Sequence, residues 1–83
     1  MANEIYKTLY YDGARVTFAD ETEGFTVMFD ENHFNQYYVN YNDSEATIDQ
    51  IIDGEKEYYD TVEIRDLPYG DCIEDKIAKY LLG

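Results

Sequence analysis

Apolar and polar residues alternate along the first half of the chain with the two-residue period that is typical of β-strands. Residues 5–11 form the first of these segments, and the dipeptide Asp12-Gly13 follows it. Asp-Gly suits a type I′ turn, because both central positions of that turn need a positive φ. We therefore predict a β-hairpin whose second strand covers residues 14–19, with its apolar residues on the inner face.

The same alternation continues beyond this hairpin. Phe25 to Phe29 forms a third predicted strand, and a fourth runs from about His33 to Tyr41. Polar turns connect these segments, and strands that are joined by short links pair in the antiparallel sense. The first half of the chain is therefore predicted to form an antiparallel meander.

The segment before Gly54 predicts a short helix. One of the polar residues 42–44 would cap its start, and Gly54 lies where a C-terminal cap would end it. Three isoleucines lie within the segment. A helix here would also place three carboxylates in one row along its side, because residues four apart are neighbours on a helix surface. The row consists of Glu45, Asp49 and Asp53.

Two further elements complete the predicted fold. Residues 58–65 alternate as a fifth strand, and Asp71 with Glu74 resembles the capping box that starts a helix. Three apolar residues share one face of this C-terminal helix: Ile73, Ile77 and Leu81. The pattern predicts one α+β domain over residues 1–83. Its antiparallel sheet would have four to five strands, with one or two helices that include the C-terminal one.

The distribution of charge is the most unusual feature of the sequence. Nineteen Asp and Glu residues outnumber six Lys and Arg residues, which gives a formal net charge of −13. No Lys or Arg lies between Arg15 and Lys56. High acidity can serve solubility alone, but a negative surface can also steer a protein onto a basic partner. Ten tyrosines and four phenylalanines distinguish the chain from a disordered acidic tail, which has few aromatic residues.

Candidate catalytic chemistry is limited to Cys72 and His33, the only cysteine and the only histidine. A Cys-His pair needs a third group that orients the base, and the sequence indicates none, so we predict no enzymatic activity. The acidic residues do not follow the spacing of a calcium-binding loop, and no Cys or His cluster suits zinc. We therefore expect no metal site and no cofactor. Direct binding of nucleic acid is not expected either, because it needs a basic patch.

The sequence also favours a cytoplasmic setting. Residues 1–4 lack the basic start and the following apolar run of a signal peptide. No window approaches the roughly 20 apolar residues that span a bilayer, so no membrane association is expected. A single cysteine forms no internal disulfide, and the fold therefore does not depend on an oxidising compartment. A monomer is the favoured state.

The acidic residues suggest the kind of surface that the protein binds. Carboxylates spaced several ångströms apart can occupy a groove that is built for phosphates, because Arg and Lys there recognise charge before bases are read. Tyrosines add large contact area with little loss of conformational entropy. The predicted partner-binding residues are Asp20, Glu21, Glu23, Asp30, Glu31, Tyr37, Tyr41, Glu45, Asp49 and Asp53. Their expected partner is a basic, nucleic-acid-binding protein.

In size, acidity and aromatic content the chain resembles the small inhibitors that phages make against bacterial defence systems, especially anti-CRISPR proteins that mimic DNA. The resemblance is one of composition over the whole chain and carries over no individual residue. It implies an intracellular inhibitor that binds a CRISPR effector subunit where target DNA would dock. Such effectors read a short motif beside the target with arginines in a basic channel, which an acidic face would block.

Two other classes of function remain open. An immunity protein or antitoxin would also be small and acidic, and it would cover the basic active site of a nuclease toxin. Capture of the partner separates this class from a DNA mimic, because the bound species would be a toxin rather than an RNA-containing effector. A small enzyme that used Cys72 and His33 would instead lose a measurable activity when either residue is changed.

Overall fold

One antiparallel sheet and one α-helix make up the part of the chain that the structure describes. The computed structural model describes residues 5–21, 23–29 and 36–83. The strands are β1 (Ile5–Tyr11), β2 (Ala14–Glu21), β3 (Gly24–Phe29), β4 (Gln36–Tyr41), β5 (Glu45–Ile52) and β6 (Glu55–Glu63). A 3-10 turn (Ile64–Asp66) and the helix α1 (Ile73–Leu82) follow. Each strand pairs with the next one in sequence, so the order across the sheet is β1 to β6.

This architecture confirms the predicted α+β class and the antiparallel meander, but the sheet has six strands rather than four or five. The difference lies at β5, where the sequence predicts a helix. Ala46 and Ile48 are buried, whereas Glu45 is exposed and Thr47 is partly exposed, which is the two-residue alternation of a strand. Ile48 also pairs with Val39 of β4 on one side. The helix prediction for this segment is therefore wrong.

The turn after β5 explains the error. Asp53 and Gly54 have φ values of 52° and 82°. Asp12 and Gly13, in the turn between β1 and β2, have nearly the same values of 50° and 85°. Positive φ at both positions is the requirement of a type I′ hairpin turn, so the prediction for Asp12-Gly13 is confirmed. Gly54 belongs to a second turn of the same kind and does not cap a helix.

Other boundaries differ from the predictions by a few residues. β6 covers Glu55–Glu63, whereas the sequence predicts a strand over residues 58–65. Among the described residues β4 begins at Gln36, and residues 33–35 of the predicted fourth strand lie outside the described part of the chain. The strand type is confirmed in both places. The ends of the strands are set by their pairing partners, which the local pattern does not reveal.

The start of α1 also differs from the prediction. Cys72 is the N-cap residue, and no side chain caps the helix by a hydrogen bond. The carboxylate of Asp75 accepts a hydrogen bond from the backbone N–H of Asp71 at 3.3 Å, and Glu74 is bonded to the sheet instead. The predicted capping box of Asp71 and Glu74 is therefore wrong, although the helix that it was expected to start is present.

The hydrophobic core lies between α1 and one face of the sheet. Seven strand residues on this face are buried: Val16, Phe18, Phe25, Val27, Val39, Ala46 and Ile48. Ile77 is fully buried, and Ile73 and Leu81 pack against the cluster, so the predicted apolar face of the helix is confirmed. Phe18 and Phe25 meet edge to face with ring centroids 5.9 Å apart. Burying a side chain of this kind stabilises the fold by about 1.5–3 kcal/mol.

The helix α1 crosses the sheet from one edge strand to the other. At its first turn, the Tyr11 hydroxyl of β1 donates a hydrogen bond to the Asp75 carboxylate at 2.5 Å. The Tyr6 hydroxyl of β1 likewise donates to Glu74 at 2.9 Å. Near the end of the helix, the Tyr80 hydroxyl donates to a carboxylate of β6.

Within the described ranges, no helix is long and apolar enough to cross a membrane.

These contacts shift the pKa values of the groups that form them. The hydrogen bond from Tyr11 is the main reason that the pKa of Asp75 is lowered. Burial alone would raise the pKa of Glu74, but hydrogen bonds from its own backbone N–H and from Tyr6 outweigh this effect and lower it. Lys7 adds to the lowering, since its Nζ lies 3.4 Å from the Glu74 carboxylate. Burial and the carboxylates together raise the pKa of both tyrosines.

Stability should fall at acidic pH through Asp75. A carboxyl group whose pKa is lowered by folding stabilises the fold above its unfolded pKa, and this contribution is lost as the pH falls through the folded pKa. We expect Asp75→Asn to lower the free energy of unfolding at pH 7 by about 1.5 kcal/mol. The variant should also weaken the pH dependence below about pH 4. Urea unfolding at several pH values measures both effects. Asp66→Asn is the control, and an equal loss in that variant would contradict the assignment.

Gly24 should be essential for the pairing of β3 with β4. Its φ is 130°, and a Cβ atom at this position would lie 1.9 Å from the backbone carbonyl oxygen of Val39. We expect Gly24→Ala to lower the free energy of unfolding by about 3 kcal/mol, because it combines backbone strain with a steric clash. Gly54→Ala is the matched control, since its φ is also positive but no atom lies within 4 Å. That variant should lose only about 1 kcal/mol in the same denaturation experiment.

Candidate functional site

Two turns that are far apart in sequence lie at the same end of the sheet. Every second turn of an antiparallel meander falls at the same end, because successive strands run in opposite directions. The β2–β3 turn is therefore close to the β4–β5 turn, and an open cleft of about 740 Å³ lies between them. Its lining residues are Tyr6, Asp20, Glu21, Glu23, Gly24, Phe25, Asn40, Tyr41, Asn42 and Asp43. We call this feature the acidic cleft.

Side-chain hydrogen bonds hold both walls of the acidic cleft. On the β2–β3 side, the Thr26 hydroxyl donates to the Glu21 carboxylate at 2.7 Å. The Tyr38 hydroxyl donates to the backbone carbonyl oxygen of Glu23 at 2.6 Å. On the other side, the side-chain oxygen of Asn42 accepts hydrogen bonds from the backbone N–H groups two and three residues later, at 2.7 and 2.9 Å. Asn favours turns through such local bonds. These hydrogen bonds hold the Glu21 side chain, the backbone carbonyl of Glu23 and the turn at Asn42 in place.

Two tyrosines supply the aromatic part of the acidic cleft. Tyr41 packs against Phe25 with ring centroids 5.8 Å apart, and 44% of its surface remains exposed. Tyr6 is exposed to a similar extent, although its hydroxyl is bonded to Glu74. An aromatic ring with an exposed face can stack against a guanidinium or ammonium group. The acidic cleft therefore combines carboxylates with rings that suit a basic side chain.

The charge of the acidic cleft has one sign. Its described lining residues include no Lys, Arg or His, and four of them carry carboxylates: Asp20, Glu21, Glu23 and Asp43. The ion pairs that the structure describes for Lys7, Arg65 and Lys79 use carboxylates outside the cleft. Potentials from charges of one sign add, and a concave surface focuses them. The cleft is therefore a place where cationic groups of a partner would be attracted.

The arrangement of the carboxylates does not suit a metal ion. Within residues 5–21, 23–29 and 36–83, no group of three His, Cys, Asp or Glu side chains is placed to hold one. A divalent cation needs several oxygen ligands at about 2–2.6 Å, and the cleft carboxylates do not converge in this way. Carboxylates that are spread over two turns instead suit several basic side chains of one partner.

The acidic cleft gathers four of the ten residues that the sequence predicts for partner binding: Asp20, Glu21, Glu23 and Tyr41. Asp30 and Glu31 lie outside the described residues. Sequence reasoning missed Asp43 as a site residue, because it treated the polar segment after β4 as a helix cap. Recognising β5 as a strand would have found it, since the meander then brings the β4–β5 turn beside the β2–β3 turn. The role of these residues in binding stays a prediction.

The predicted row of Glu45, Asp49 and Asp53 does not exist, because these residues follow a strand and not a helix. Glu45 begins β5, and Asp53 lies in the turn at the opposite end of the sheet. Eight steps along a strand separate them by about 26 Å, compared with about 12 Å along a helix. Asp49 lies between them and pairs with Tyr38 of β4 and Tyr58 of β6. The three carboxylates therefore do not form one compact surface.

Tyr37 faces α1, and its ring contacts other aromatic rings. Its centroid is 6.0 Å from that of Phe29 and 5.3 Å from that of Tyr59. Burial raises the pKa of the Tyr37 hydroxyl. The ring therefore contributes to packing across the sheet, and its use as an aromatic anchor for a partner stays a prediction.

Cys72 lies at the start of α1 and is not among the described lining residues of the acidic cleft. Its Sγ atom is 3.3 Å from Nζ of Lys7, and this contact is the largest cause of the raised pKa of the lysine. The thiol lines a small cavity of about 150 Å³ that also borders Asp71 and Asp75. His33 lies outside the described residues. The expectation that Cys72 and His33 form no catalytic pair therefore stays a prediction.

The pairing of Glu45 yields a test of the strand assignment. Glu45 lies directly opposite Glu63 across the β5–β6 ladder, and like charges at such positions destabilise a sheet. We expect Glu45→Lys to raise the free energy of unfolding by about 0.5 kcal/mol at low ionic strength. The gain should shrink in about 0.5 M salt. Glu55→Lys is the control, because Glu55 lies opposite Ile52. Urea denaturation that shows equal gains in both variants would attribute the effect to net charge alone.

Comparisons with known proteins give no family for this chain. No protein-family model matches it, no curated protein matches it, and no solved structure matches its fold. Its function is therefore inferred from the acidic cleft, together with the charge and composition of the chain.

Proposed function

We propose that this protein is a non-enzymatic inhibitor whose acidic cleft binds a basic, nucleic-acid-binding surface of another protein. The observation that carries the proposal is the composition of the cleft. Four of its described lining residues are Asp or Glu and two are tyrosines, and no basic residue is among them. The absence of Lys and Arg from residues 16–55 makes the same region negative over a longer range.

The physical basis of binding is the match between carboxylates and a surface made for phosphates. Lys and Arg in a nucleic-acid groove bind anionic oxygens without regard to sequence, and this electrostatic term supplies much of their affinity. Arg in particular binds planar carboxylates through two parallel hydrogen bonds. Tyr41 adds an exposed ring on which a guanidinium group can stack.

The proposed target is a bacterial defence complex, and in particular a CRISPR effector whose recognition of target DNA would be blocked. The small size, the net charge of −13 and the high aromatic content support this choice. Such effectors hold nucleic acid in a positively charged channel, which is the kind of surface that the acidic cleft complements. The mode of action would be competition with DNA for this channel.

Affinity capture with the intact chain from a bacterial lysate, followed by mass spectrometry, identifies the partner. The proposal predicts a subunit of a nucleic-acid-binding defence complex, and the captured complex should bind its target DNA less well when the protein is present. Capture of a nuclease toxin would favour the immunity-protein class instead. A partner that binds DNA equally well with and without the protein would contradict DNA mimicry.

Neutralising the acidic cleft should weaken binding of that partner. We expect the combined variant Asp20→Asn, Glu23→Gln, Asp43→Asn to lose at least about tenfold in affinity, equivalent to about 1.4 kcal/mol. The loss should arise largely from slower association, because charges steer the encounter. Stability should hold or rise, since like charges are removed.

Association of the unchanged protein should also slow markedly between about 50 and 500 mM salt, which shortens the Debye length.

The matched control removes the same number of charges elsewhere. Asp12→Asn, Asp66→Asn and Asp71→Asn together change the net charge equally, but none of these residues lines the acidic cleft. This control should keep most of the affinity in surface plasmon resonance or calorimetry. Equal losses in the two triple variants would show that binding follows net charge and not the cleft.

A further inference from the structure

The strand β6 forms the edge of the sheet opposite β1, and α1 contacts it through the hydrogen bond from Tyr80 to Asp60. It has nine residues, more than any other described strand, and its outer side pairs with no strand of the described residues. Seven of its nine side chains are exposed. Tyr58 and Tyr59 are exposed by 69% and 48%. A strand edge of this kind carries backbone N–H and C=O groups that can accept another strand.

The opposite edge of the sheet is less available. β1 lies beside the first turn of α1, and three of its side chains are bonded there. The Tyr6 and Tyr11 hydroxyls bind carboxylates of the helix, and Lys7 pairs with Glu74. The register of β1 against β2 also shifts near its start. An incoming strand would therefore meet fewer obstacles at β6 than at β1.

Charge selects the kind of strand that β6 would accept. The strand contains four acidic residues and one lysine: Glu55, Glu57, Asp60, Glu63 and Lys56. The Lys56 ammonium lies 3.7 Å above the centre of the Tyr38 ring, so it is directed toward β4 across the sheet. A second copy of β6 would place acidic residues beside acidic residues, which destabilises pairing. These charges therefore oppose self-association and favour a basic strand.

The alternation of side chains and a bulge limit the part of β6 with which a strand could pair regularly. Glu55 and Glu57 alternate with Lys56 and Tyr58, so both carboxylates point to the same face of the sheet. The register of β6 against β5 shifts after Tyr58, which leaves a bulge at Tyr59. A bulge interrupts regular pairing. The regular part of the open edge is thus Glu55 to Tyr58, with two carboxylates on one face and an exposed ring on the other.

We propose that the edge of β6 from Glu55 to Tyr58 is a second interaction surface, which pairs with an extended segment of a partner protein that carries Lys or Arg at alternate positions. The basic side chains of that segment lie beside Glu55 and Glu57, and its backbone adds a seventh strand to the sheet. The surface is separate from the acidic cleft, since neither Glu55 nor Glu57 lines the cleft. It therefore does not depend on the function proposed for the cleft.

A synthetic peptide of nine residues, with Lys at alternate positions and Thr or Val between them, is the probe for this edge. NMR shift mapping and amide hydrogen exchange on the full chain should place the peptide at β6. Exchange of the outward-facing β6 amides should slow by at least tenfold at saturation. A peptide of the same charge with two prolines should give no such protection, because proline cannot complete a strand ladder. Equal protection by the proline peptide would overturn the proposal.

Charge reversal tests the same surface from the side of the protein. Glu55→Lys combined with Glu57→Lys should weaken binding of the lysine peptide by at least tenfold. Asp66→Lys combined with Asp71→Lys changes the net charge equally, lies outside both surfaces and should have a much smaller effect. If the double reversal disturbs folding, the milder variant Glu57→Gln tests the effect of the carboxylate on peptide affinity. Three outcomes would each overturn the proposal. The two double variants could lose equal affinity for the peptide, or the peptide could shift NMR signals of the acidic cleft alone. The third outcome is pairing of β6 with a second copy of the chain.

Discussion

The crossing of α1 over one face of the sheet is the contact on which the rest of the structure depends. A helix of ten residues is about 15 Å long, whereas the outer strands of a six-stranded sheet lie about 24 Å apart. Tyrosine side chains span the remaining distance. Tyr6 and Tyr11 of β1 are bonded to the first turn of the helix, and Tyr80 in its last turns is bonded to β6. One short helix thus ties both edges to one core. The acidic cleft lies at the end of the sheet that carries the β2–β3 and β4–β5 turns, and the first residues of β6 are exposed.

The sequence predicts the meander well where two-residue alternation and a turn dipeptide agree, as they do around Asp12-Gly13. It fails at β5, because Ile48, Ile51 and Ile52 have a spacing that fits one face of a helix as well as the two faces of a strand. Two features would have decided the matter. Half of the eight residues of β5 are β-branched, and Asp53-Gly54 repeats the dipeptide of the first hairpin. A glycine after an aspartate at the end of a short apolar segment is a hairpin signal before it is a helix cap.

The candidate site follows from topology more than from local pattern. Asp20, Glu21 and Glu23 are neighbours in sequence, so their charge could be recognised without a structure. Asp43 joins them only because two turns of the meander meet at one end of the sheet. Predicting a helix at β5 led to the incorrect row of helix carboxylates, and for the same reason Asp43 was not predicted as a site residue. A sequence reveals the total charge of such a protein directly, but the surface on which the charge gathers depends on how many strands separate two turns.

Tyrosine hydroxyls act together with Lys7 and Lys79 as partners of the carboxylates that dock α1 on the sheet. Six basic residues cannot pair with nineteen acidic ones. Hydroxyl groups therefore serve as donors: Tyr6 to Glu74, Tyr11 to Asp75 and Tyr80 to Asp60. A hydroxyl satisfies a carboxylate without cancelling its charge, whereas an ammonium group does both. Because acidic residues far outnumber basic ones, a net negative field remains after the helix docks, and it extends over about one Debye length. Tyr6, Tyr11 and Tyr80 thus hold carboxylates in place without cancelling their charge.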